Sequence, residues 1–459
     1  MTQQLLTGWG RTSPSRCDLV DADRGDIESV VAAAPDRGVL TRGLGRSYGD
    51  SAQNGGGMVV RLSGSAAKFV LDPVTGVLRA GGGVSLDTVL REVVPQGWFV
   101  PVTPGTRFVT IGGAIASDIH GKNHHVDGSF GNHVTSLTLL LADGTTIVVG
   151  PEQQPEIFWA TIGGMGLTGI VLEASVQLLA IETSRCLVDT NRLDDLDQLL
   201  AAMSDGDDRY RYSVSWIDLV AKGRHLGRSV LTRGDHATVG DLDAGAAAAP
   251  LAYNPRQLLN VPPLVPAPGV LNHASVAAFN ESWFRLHRAR ATTTIESIAG
   301  FFHPLDGVRS WNRLYGRSGF VQYQFVVPFG EEPVLRQVIE RLASSGAASF
   351  LAILKRFGAA NRAPLSFPEP GWTLALDIPA RSRDLGELLH GLDRLVLDAG
   401  GRHYLAKDSH TTPDSIRRGY PRLAEWQRVR DSLDPSGRWC SDQARRLELV
   451  TATDIGRRS

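Results

Sequence analysis

Two long stretches of small residues constrain this chain more than any other feature of its sequence. The first covers residues 42–57 and the second covers residues 104–125. Successive glycines let backbone N–H groups turn inward to form an anion site, and a diphosphate would fit such a site. Small side chains over this length also let a large flat ligand lie against the backbone. The sequence therefore predicts a fold built around a large ligand that carries phosphate.

Neither stretch has the spacing of a Rossmann dinucleotide site. The first begins RGLGRSYGD, which is not GxGxxG, and the residues after it favour a loop over a helix. A literal GxGxxG occurs at Gly164, Gly166 and Gly169, but residues 170–176 have the composition of a strand. The fingerprint needs a helix N-terminus there to hold the pyrophosphate. We therefore predict no nicotinamide site, and a tight, closely packed turn is the competing interpretation of these glycines.

The pattern between residues 38 and 180 predicts an α+β fold with hairpins. Short β-rich runs alternate with glycine clusters and with turns such as DPVTG and ADG, so strict βαβ repetition is not indicated. One helix is clear, with Ser85 as its N-cap, Asp87 in its first turn and Pro95 at its end. The predicted strands are residues 38–41, 58–61, 69–71 and 77–80.

A second domain is predicted to interrupt the first. Strand-like segments at 210–217 and 320–327 indicate a sheet-based domain over residues 184–401, flanked by residues 1–183 and 402–459 of the first domain. Residues 243–250 and 261–269 are predicted to be mobile connections. The second of these is apolar and rich in proline. It suits a lid over a lipid-bearing substrate, a membrane contact or a loop packed on its own domain.

Composition excludes several classes of function. The net charge of −1 gives no overall field that would gather nucleic acid. Cys17, Cys186 and Cys440 are far apart, which predicts buried free thiols instead of a disulfide framework or a zinc site. The sequence shows no secretory signal and no apolar run of the roughly 20 residues that a membrane span needs. We therefore expect a location in the cytoplasm or peripheral to the inner membrane.

Longer motifs carry a specific resemblance. The two loops and residues 426–437 resemble the vanillyl-alcohol-oxidase superfamily. Within it, the runs GLGRSYGD, HGKNHH, GSFGNHV, FWATIGG, QYQFVVP, APLSFPEPGW and AKDS resemble the decaprenylphosphoryl-β-D-ribose oxidase family, over about residues 6–449. The resemblance implies a two-domain FAD-binding fold of the vanillyl-alcohol-oxidase type, with a sheet-based substrate (cap) domain inserted.

The same resemblance implies an activity and partners. The family uses FAD to oxidise the 2'-hydroxyl of decaprenylphosphoryl-β-D-ribofuranose to a ketone. A separate NAD(P)H-dependent short-chain reductase completes the epimerisation to the arabinose donor for actinobacterial cell-wall arabinan. Members are usually membrane-associated, so peripheral membrane contact and a periplasmic or cell-wall-side location are compatible with the family. No nucleic-acid partner is expected.

FAD-binding positions also carry over from the resemblance. Many relatives in the superfamily attach the flavin covalently through a histidine of the first loop. This chain has Arg46 at that place, so non-covalent FAD is expected. The implied FAD-binding residues are Arg42, Gly43, Leu44, Gly45, Arg46, Ser47, Tyr48, Gly105, Thr110, Ile111, Gly112, Gly113, Ser117, Asp118, Ile119, His120, Ile170 and Tyr404.

Lys407 and His120 are the implied catalytic residues. A fixed ammonium at Lys407 would favour the reduced anionic flavin, while His120 would act as a base or as polar support for the flavin ring. The implied substrate residues are Tyr48, Lys122, Trp216, Gln322, Gln324, Lys355 and Phe357. On a strand, Gln322 and Gln324 face the same way and Tyr323 between them packs on the other side.

Several alternatives stay open from the sequence. The histidines at 120, 124 and 125 resemble zinc ligands in type, but no Cys, Asp or Glu stands at a helpful spacing, so no metal is predicted. An FAD-dependent alditol or aldonolactone oxidase is the main functional alternative, and a catalytically silent flavin-binding protein is another. Thr373 and Ala375 stand where mycobacterial members have asparagine and cysteine. The substrate fit is therefore open there, and the attachment point of nitroaromatic covalent inhibitors is missing.

Overall fold

The computed structural model describes residues 2–22, 26–62, 69–262, 265–266, 269–347 and 349–450. It contains both helices and sheets, which confirms the predicted α+β class. Its strands are β1 Thr2–Leu6, β2 Ser15–Ala22, β3 Val39–Thr41, β4 Met58–Leu62, β5 Phe69–Leu71, β6 Val77–Gly81, β7 Trp98–Phe99, β8 Val134–Leu140, β9 Thr146–Val149, β10 Ile170–Gln177, β11 Leu179–Ala180, β12 Arg185–Leu193, β13 Tyr212–Ile217, β14 Ser229–His236, β15 Leu259–Asn260, β16 Thr292–Ser297, β17 Val308–Arg309, β18 Phe320–Pro328, β19 Ala352–Phe357, β20 Gly371–Pro379 and β21 Arg402–His403.

The helices connect these strands and cover one face of each large sheet. The α-helices are α1 Ile27–Ala32, α2 Leu86–Val93, α3 Ile111–Ala116, α4 His124–Asp127, α5 Pro155–Thr161, α6 Leu196–Gly206, α7 Ala244–Ala247, α8 His273–Leu286, α9 Ile298–Phe302, α10 Glu332–Ser345, α11 Leu385–Asp398, α12 Pro413–Gly419, α13 Leu423–Leu433 and α14 Asp442–Arg446. Short 3-10 helices cover Val94–Gln96, Phe130–His133, Asp207–Arg209, Gly223–His225, Val239–Asp241, Pro304–Gly307 and Trp311–Tyr315.

Among the described residues, the amino-terminal part of the chain forms two larger sheets and a two-stranded pair of β7 and β11. The first has the order β1-β2-β4-β3, with β4 parallel to both β2 and β3. The second has the order β5-β6-β10-β8-β9 and is antiparallel. Helix α2 packs on it and begins as predicted, because the Ser85 hydroxyl accepts a hydrogen bond from the Thr88 amide at 3.0 Å. The GxGxxG segment runs directly into strand β10, as expected from its sequence.

An eight-stranded antiparallel sheet dominates the second half of the chain. Its order is β16-β12-β14-β13-β19-β20-β18-β21. One face packs against α6, α10 and α11 through buried residues such as Leu199, Leu335 and Leu389. The opposite face looks toward the glycine-rich loops. On β18, Tyr323 lies in the core while Gln322 and Gln324 face those loops, which confirms the alternation predicted from the sequence.

The last part of the chain returns to the first sheet. The Val39 amide donates to the Arg438 carbonyl at 2.8 Å, and the Cys440 amide donates to the Val39 carbonyl at 3.1 Å. Arg446 forms ion pairs with Asp50 and Asp408 at 2.7 and 2.8 Å. These contacts support an interrupted first domain. The boundaries at 183/184 and 401/402 stay a prediction, and β21 extends the large sheet to His403.

The two segments predicted as connections have different outcomes. Residues 243–250, predicted as a mobile connection, contain the short helix α7, which was not predicted. The Asp243 side chain caps this helix by accepting from the Ala246 amide at 2.9 Å, and alanine has a high helix propensity. In the other segment, residues 263–264 and 267–268 lie outside the described residues. Val261 is buried and its amide donates to the Arg309 carbonyl at 3.0 Å.

Two further sequence predictions concern cysteines and membrane spans. Cys17, Cys186 and Cys440 are free and buried, which confirms the prediction. Within the described ranges, none of the helices combines the length and the apolar character that crossing a bilayer requires.

Candidate active site

A large cavity lies between the glycine-rich loops and the open face of the eight-stranded sheet. Its volume is about 1240 Å³, above the roughly 300–1,000 Å³ of ordinary small-molecule sites. Residues far apart in the sequence therefore meet around one space. The predicted site residues that line it are Arg42, Gly43, Leu44, Gly45, Arg46, Ser47, Tyr48, Gly105, Thr110, Gly112, Gly113, Ser117, Ile119, His120, Lys122, Ile170, Trp216, Gln322, Gln324, Lys355, Tyr404 and Lys407.

The first glycine-rich loop presents a row of free backbone donors to this cavity. Within the described part of the chain, none of the amides of residues 43–47 donates a hydrogen bond. The hydroxyl oxygen of Ser51, also on the cavity wall, is buried and has no hydrogen-bond partner among the described residues. Successive free N–H groups form an anion-binding nest. The loop therefore fits the diphosphate of FAD.

Two arginines of this loop have different tasks. The Arg42 guanidinium donates to the carbonyls of Ala52 and Thr7, each at 2.7 Å, and so fixes the shape of the loop. Arg46 instead lies over the Trp9 ring, 4.2 Å from its centre, and donates to the Leu44 carbonyl at 2.7 Å. Burial lowers the pKa of Arg46, although the guanidinium stays charged. A cation thus stands beside the nest.

The second glycine-rich stretch supplies a wall without side chains. A Cβ atom on Gly105 would meet no heavy atom within 4 Å and would occupy the cavity itself. Thr110 caps helix α3 by accepting from the Gly113 amide at 3.1 Å. Gly82 and Gly83 line the same wall, and they were not predicted because the short GGG run at 81–83 resembles an ordinary turn. A flat ring can therefore lie against backbone, which fits the isoalloxazine of FAD.

Three predicted site residues do not line the cavity. Ile111 is the first residue of α3 and is fully buried in the core of the second sheet. Asp118 points away, and its carboxylate accepts from the Ser129 hydroxyl and the Gly131 amide, each at 2.8 Å. Phe357 lies behind His120, with ring centres 4.8 Å apart. These three residues therefore support the cavity wall from behind and do not face FAD or substrate.

Lys407 reaches the cavity from a turn that packs on the first glycine-rich loop. The Tyr48 amide donates to the Ala406 carbonyl at 3.0 Å. A Cβ atom on Gly49 would lie 1.9 Å from the Asp408 carbonyl oxygen, so this approach requires glycine. The Lys407 ammonium nitrogen lies 3.9 Å from the centre of the Tyr48 ring. A cation–π contact therefore holds Lys407 on the cavity wall.

Three amines in the cavity have lowered pKa values. Burial lowers the pKa of Lys407 to about 7, and the nearby Asp377 opposes this effect. Burial, together with the charges of Lys407 and Lys122, lowers the pKa of Lys355 to about 7. Burial lowers the pKa of Lys122 to about 8. Because an anion in the cavity would favour the charged form of each amine, these groups are poised to respond to one.

His120 stands between a lysine and an amide. The Lys355 Nζ atom lies 2.9 Å from its Nδ1, and the Gln324 Nε2 atom lies 2.9 Å from its Nε2. Burial, and then the charge of Lys355, holds the pKa of His120 well below its ordinary value. The ring is therefore neutral at physiological pH, with one donor and one acceptor nitrogen, and each nitrogen faces a hydrogen-bonding neighbour.

Asp377 is a candidate functional residue that was not predicted from the sequence. It is fully buried on β20, directly opposite Gln322 of β18. The Gln322 amide donates to it at 2.6 Å and the Tyr315 hydroxyl donates at 3.3 Å. Burial raises its pKa to about 7, against the lowering effects of Gln322 and Lys407. The available signal was a lone carboxylate within the otherwise apolar run TLALDIP.

The histidines that follow His120 are used in hydrogen bonds. The His124 Nδ1 atom accepts from the Gly358 amide at 3.1 Å, and burial lowers the pKa of His124 to about 3. The His125 Nε2 atom lies 3.0 Å from the Tyr210 carbonyl, to which it can donate. Among the described residues, no group of three or more His, Cys, Asp or Glu side chains is arranged to hold a metal ion.

Comparisons with known proteins agree with this geometry. The family described as FAD binding domain matches residues 21–150, and the family described as D-arabinono-1,4-lactone oxidase matches residues 319–447. Decaprenylphosphoryl-beta-D-ribose oxidase of Mycolicibacterium smegmatis is 43% identical over 457 residues, which are 98% of each chain. An uncharacterized protein from the mprA 5' region of Streptomyces coelicolor is 40% identical over 80% of this chain and 100% of its own length. A putative D-arabinono-1,4-lactone oxidase of Neurospora crassa is 29% identical over 33% of this chain and 27% of its own.

The fold, the cavity and these matches define an FAD-dependent oxidoreductase that acts on CH–OH groups, in a two-domain fold of the vanillyl-alcohol-oxidase type. FAD is its cofactor. The chain belongs to the decaprenylphosphoryl-β-D-ribose oxidase family, because the similarity to the mycobacterial member runs over almost the full length of both proteins. The similarity to aldonolactone oxidases is distant and covers only part of the chain.

Proposed function

We propose that this protein oxidises the 2'-hydroxyl of decaprenylphosphoryl-β-D-ribofuranose to a ketone. The observation that carries the proposal is the convergence of Lys407, His120 and Lys355 on one cavity that also has an anion-binding glycine loop in its wall. The near full-length similarity to a protein named for this ribose substrate supports it. Each of the three side chains has a separate task in such a reaction.

Bound FAD would supply the oxidising chemistry by taking a hydride from the sugar carbon. Lys407 would place its ammonium where negative charge develops in the transition state and would stabilise that charge. His120 is neutral, and its acceptor nitrogen would take the hydroxyl proton once the substrate displaces the contact with Lys355 or Gln324 at that nitrogen. The Tyr48 ring restrains Lys407, which limits the reorganisation needed during the reaction.

The phosphodiester of the substrate would bind to cations. Lys355 and Lys122 line the cavity, and each is close to its titration point in the free protein. A phosphodiester anion beside them would raise their pKa values and hold them charged. The amides of Gln322 and Gln324 suit sugar hydroxyls, and the Trp216 ring supplies an apolar wall.

A soluble aldonolactone or alditol is the second candidate substrate. The match of residues 319–447 to D-arabinono-1,4-lactone oxidase favours it. Such a substrate carries no phosphate, so it has no negative charge that would raise the pKa values of Lys122 and Lys355 and keep these amines charged. This electrostatic mismatch favours the phosphorylated ribose.

The proposed product needs a further enzyme and a lipid environment. A ketone on the ribose ring must be reduced from the opposite face to complete an epimerisation, and we assign that step to a separate NAD(P)H-dependent short-chain reductase. The polyprenyl part of the substrate is partitioned into membrane, so the protein must meet a membrane surface. Peripheral contact is sufficient for this purpose.

A substrate panel tests the proposal. The FAD-loaded protein is given polyprenylphosphoryl-β-D-ribose, an alditol and an aldonolactone, and the ketone or lactone-derived product is measured by mass spectrometry. The proposal expects a 2'-keto ribose and at least about 100-fold lower kcat/KM for the two soluble substrates, because they lack the phosphate contacts. A higher kcat/KM for the alditol or the aldonolactone would replace the proposal with the second candidate.

A further inference from the structure

The geometry points to a subsite for the isoprenoid chain of the substrate at the far end of the cavity, between the sheet face of β13 and β14 and helix α8. This inference rests on the proposed function, because it places the lipid part of the proposed substrate. It concerns residues that lie away from Lys407 and His120. Their positions follow from strand register and from one helix face.

A continuous row of side chains crosses five strands of the large sheet. In register, Gln324 pairs with Ala375, Ala375 with Ile353, Ile353 with Trp216, and Trp216 with Val230. All five residues line the cavity. Because neighbouring strands lie about 4.8 Å apart, the row extends about 19 Å from the amide beside His120. The cavity therefore continues well beyond the space that a ribose occupies.

The chemistry of the wall changes along this row. At one end, the Gln324 amide contacts His120 and the Lys355 amine lies close by. From Ile353 onward the row is apolar, and in the next row on the same face Val214 pairs with Thr232. A ligand that follows the face thus passes from amides and amines to hydrocarbon. This order matches a molecule with a sugar, then a phosphate, then an isoprenoid chain.

Helix α8 covers the apolar end. The Asn280 amide donates to Asp218 at 2.7 Å, and Arg228 pairs with Glu281 at 2.7 Å, which fixes the helix over the ends of the strands. Phe279 and Trp283, four residues apart, lie on one helix face and line the cavity. A roof of aromatic side chains therefore faces the apolar row.

The roof opens to solvent. Phe279 is 40% exposed and Trp283 is 37% exposed, although both line the cavity. The Phe279 ring also contacts Phe350 from the loop before β19, with ring centres 4.9 Å apart. Large aromatics that border both a cavity and solvent mark a mouth through which a chain longer than the cavity can leave. Continuity with the catalytic part of the cavity favours the substrate's own chain as the occupant.

Binding of two prenyl monophosphates to the FAD-loaded protein tests the subsite without turnover. Dimethylallyl phosphate reaches only the polar end, while farnesyl phosphate carries ten additional carbons along the row. We expect farnesyl phosphate to bind at least about tenfold more tightly by calorimetry, because its added hydrocarbon is buried. In a Phe279→Ser, Trp283→Ser double variant this advantage falls to about twofold or less, while the affinity for dimethylallyl phosphate is unchanged.

Two further variants serve as a control and as an independent test of the subsite. Leu286→Ser is the matched control, because Leu286 lies on the same helix, is 74% exposed and is not part of the cavity wall; it should keep the farnesyl advantage. Val230→Thr adds a hydroxyl to the apolar row and hardly changes the shape of the side chain. It should weaken the binding of farnesyl phosphate alone, so the test remains possible if the double variant fails to fold.

The outcomes separate the subsite from the proposed function. Equal affinities for the two phosphates would overturn the subsite. So would a farnesyl advantage that is as large in Val230→Thr and in the Phe279→Ser, Trp283→Ser double variant as in the wild type. If the farnesyl advantage is present and is lost in those variants, the subsite stands. It would stand even where the substrate panel shows no oxidation of polyprenylphosphoryl ribose, a result that would refute the proposed function alone.

Discussion

The Lys355 Nζ atom lies 2.9 Å from His120 Nδ1, on the opposite edge of the ring from the Gln324 amide. That amide also donates to the Thr373 hydroxyl at 3.2 Å. A neutral imidazole has one donor nitrogen and one acceptor nitrogen, so His120 cannot accept from both neighbours. A protonated Lys355 therefore requires Gln324 to turn its oxygen toward the ring. The charge of Lys355, the tautomer of His120 and the orientation of Gln324 are coupled.

This coupling predicts a pH-dependent KM. Burial lowers the pKa of Lys355 to about 7 and that of Lys122 to about 8, so their ammonium forms are lost as the pH rises above these values. We expect KM for the phosphorylated ribose to rise about tenfold between pH 7 and pH 9, since losing one charged contact costs about 1.4 kcal/mol. Steady-state kinetics across this range measure it. In Lys355→Met the KM should be high already at pH 7, and a KM that stays flat in the wild type would argue against a phosphate site at these amines.

Lys407→Met should separate catalysis from cofactor binding. The substitution removes the cation beside Tyr48 but leaves the glycine-rich loops intact, so the protein should retain FAD. We expect kcat to fall about 100-fold or more and the flavin reduction potential to become more negative, because the reduced anionic form loses its countercharge. Stopped-flow reduction and potentiometry give the two values. Lys222→Met, at an exposed lysine outside the cavity wall, is the control and should change neither.

Local patterns made much of the fold predictable. The Ser85 cap, the apolar face of α2 and the strand after the GxGxxG segment depend on neighbouring residues, and the structure has each of them. Helix α7 was not predicted, because it has only four residues and contains a glycine, and a proline follows it shortly afterwards. These residue types are typical of a loop. The division into domains stays a prediction.

The site was harder to predict than the fold. The resemblance identified residues on both sides of the cavity, yet it did not reveal that Ile111 and Asp118 turn away from it. Asp377 and the row from Gln324 to Val230 depend on the register of distant strands. Register is set by packing and by turns far along the chain, so a single sequence does not display it.

Non-covalent attachment of FAD is a further prediction. Arg46 stands where many relatives have the attachment histidine, and its guanidinium is engaged with the Trp9 ring and the Leu44 carbonyl. Acid precipitation of the protein should therefore release all flavin into the supernatant as intact FAD, detected by absorbance and mass spectrometry. Flavin that stays with the denatured protein would contradict this expectation.

The buried lysines should also make stability depend on pH. The pKa of Lys355 is lowered from 10.5 to about 7 in the folded protein, so the unfolded chain binds more protons between these values. The contribution of this group to stability therefore rises with pH over that window and is least favourable at or below pH 7. We expect Lys355→Met to raise the free energy of unfolding of FAD-free protein by about 1 kcal/mol at pH 7, since solvent reaches the cavity, and by less at pH 9.5. Urea unfolding at the two pH values checks the sign; a gain that grows with pH would be inconsistent with it.

Ala375 predicts resistance to nitroaromatic covalent inhibitors of the family. It lines the cavity opposite Gln324, at the place where mycobacterial members have the cysteine to which such inhibitors attach. The wild-type protein should show no added mass after turnover in the presence of the inhibitor, and Ala375→Cys should gain one inhibitor mass per chain. Intact-protein mass spectrometry decides between these outcomes. An adduct on the wild type would show that another nucleophile lies within reach.

Oxidation of the ribose by the bound flavin is tested by the visible absorption of the FAD-loaded protein during anaerobic addition of decaprenylphosphoryl-β-D-ribose. The flavin bands should bleach within seconds in the wild type and at least about 100-fold more slowly in Lys407→Met, because only the wild type stabilises the developing charge. Bands that stay unchanged with this ribose but bleach with an alditol or an aldonolactone would contradict the assignment of the substrate.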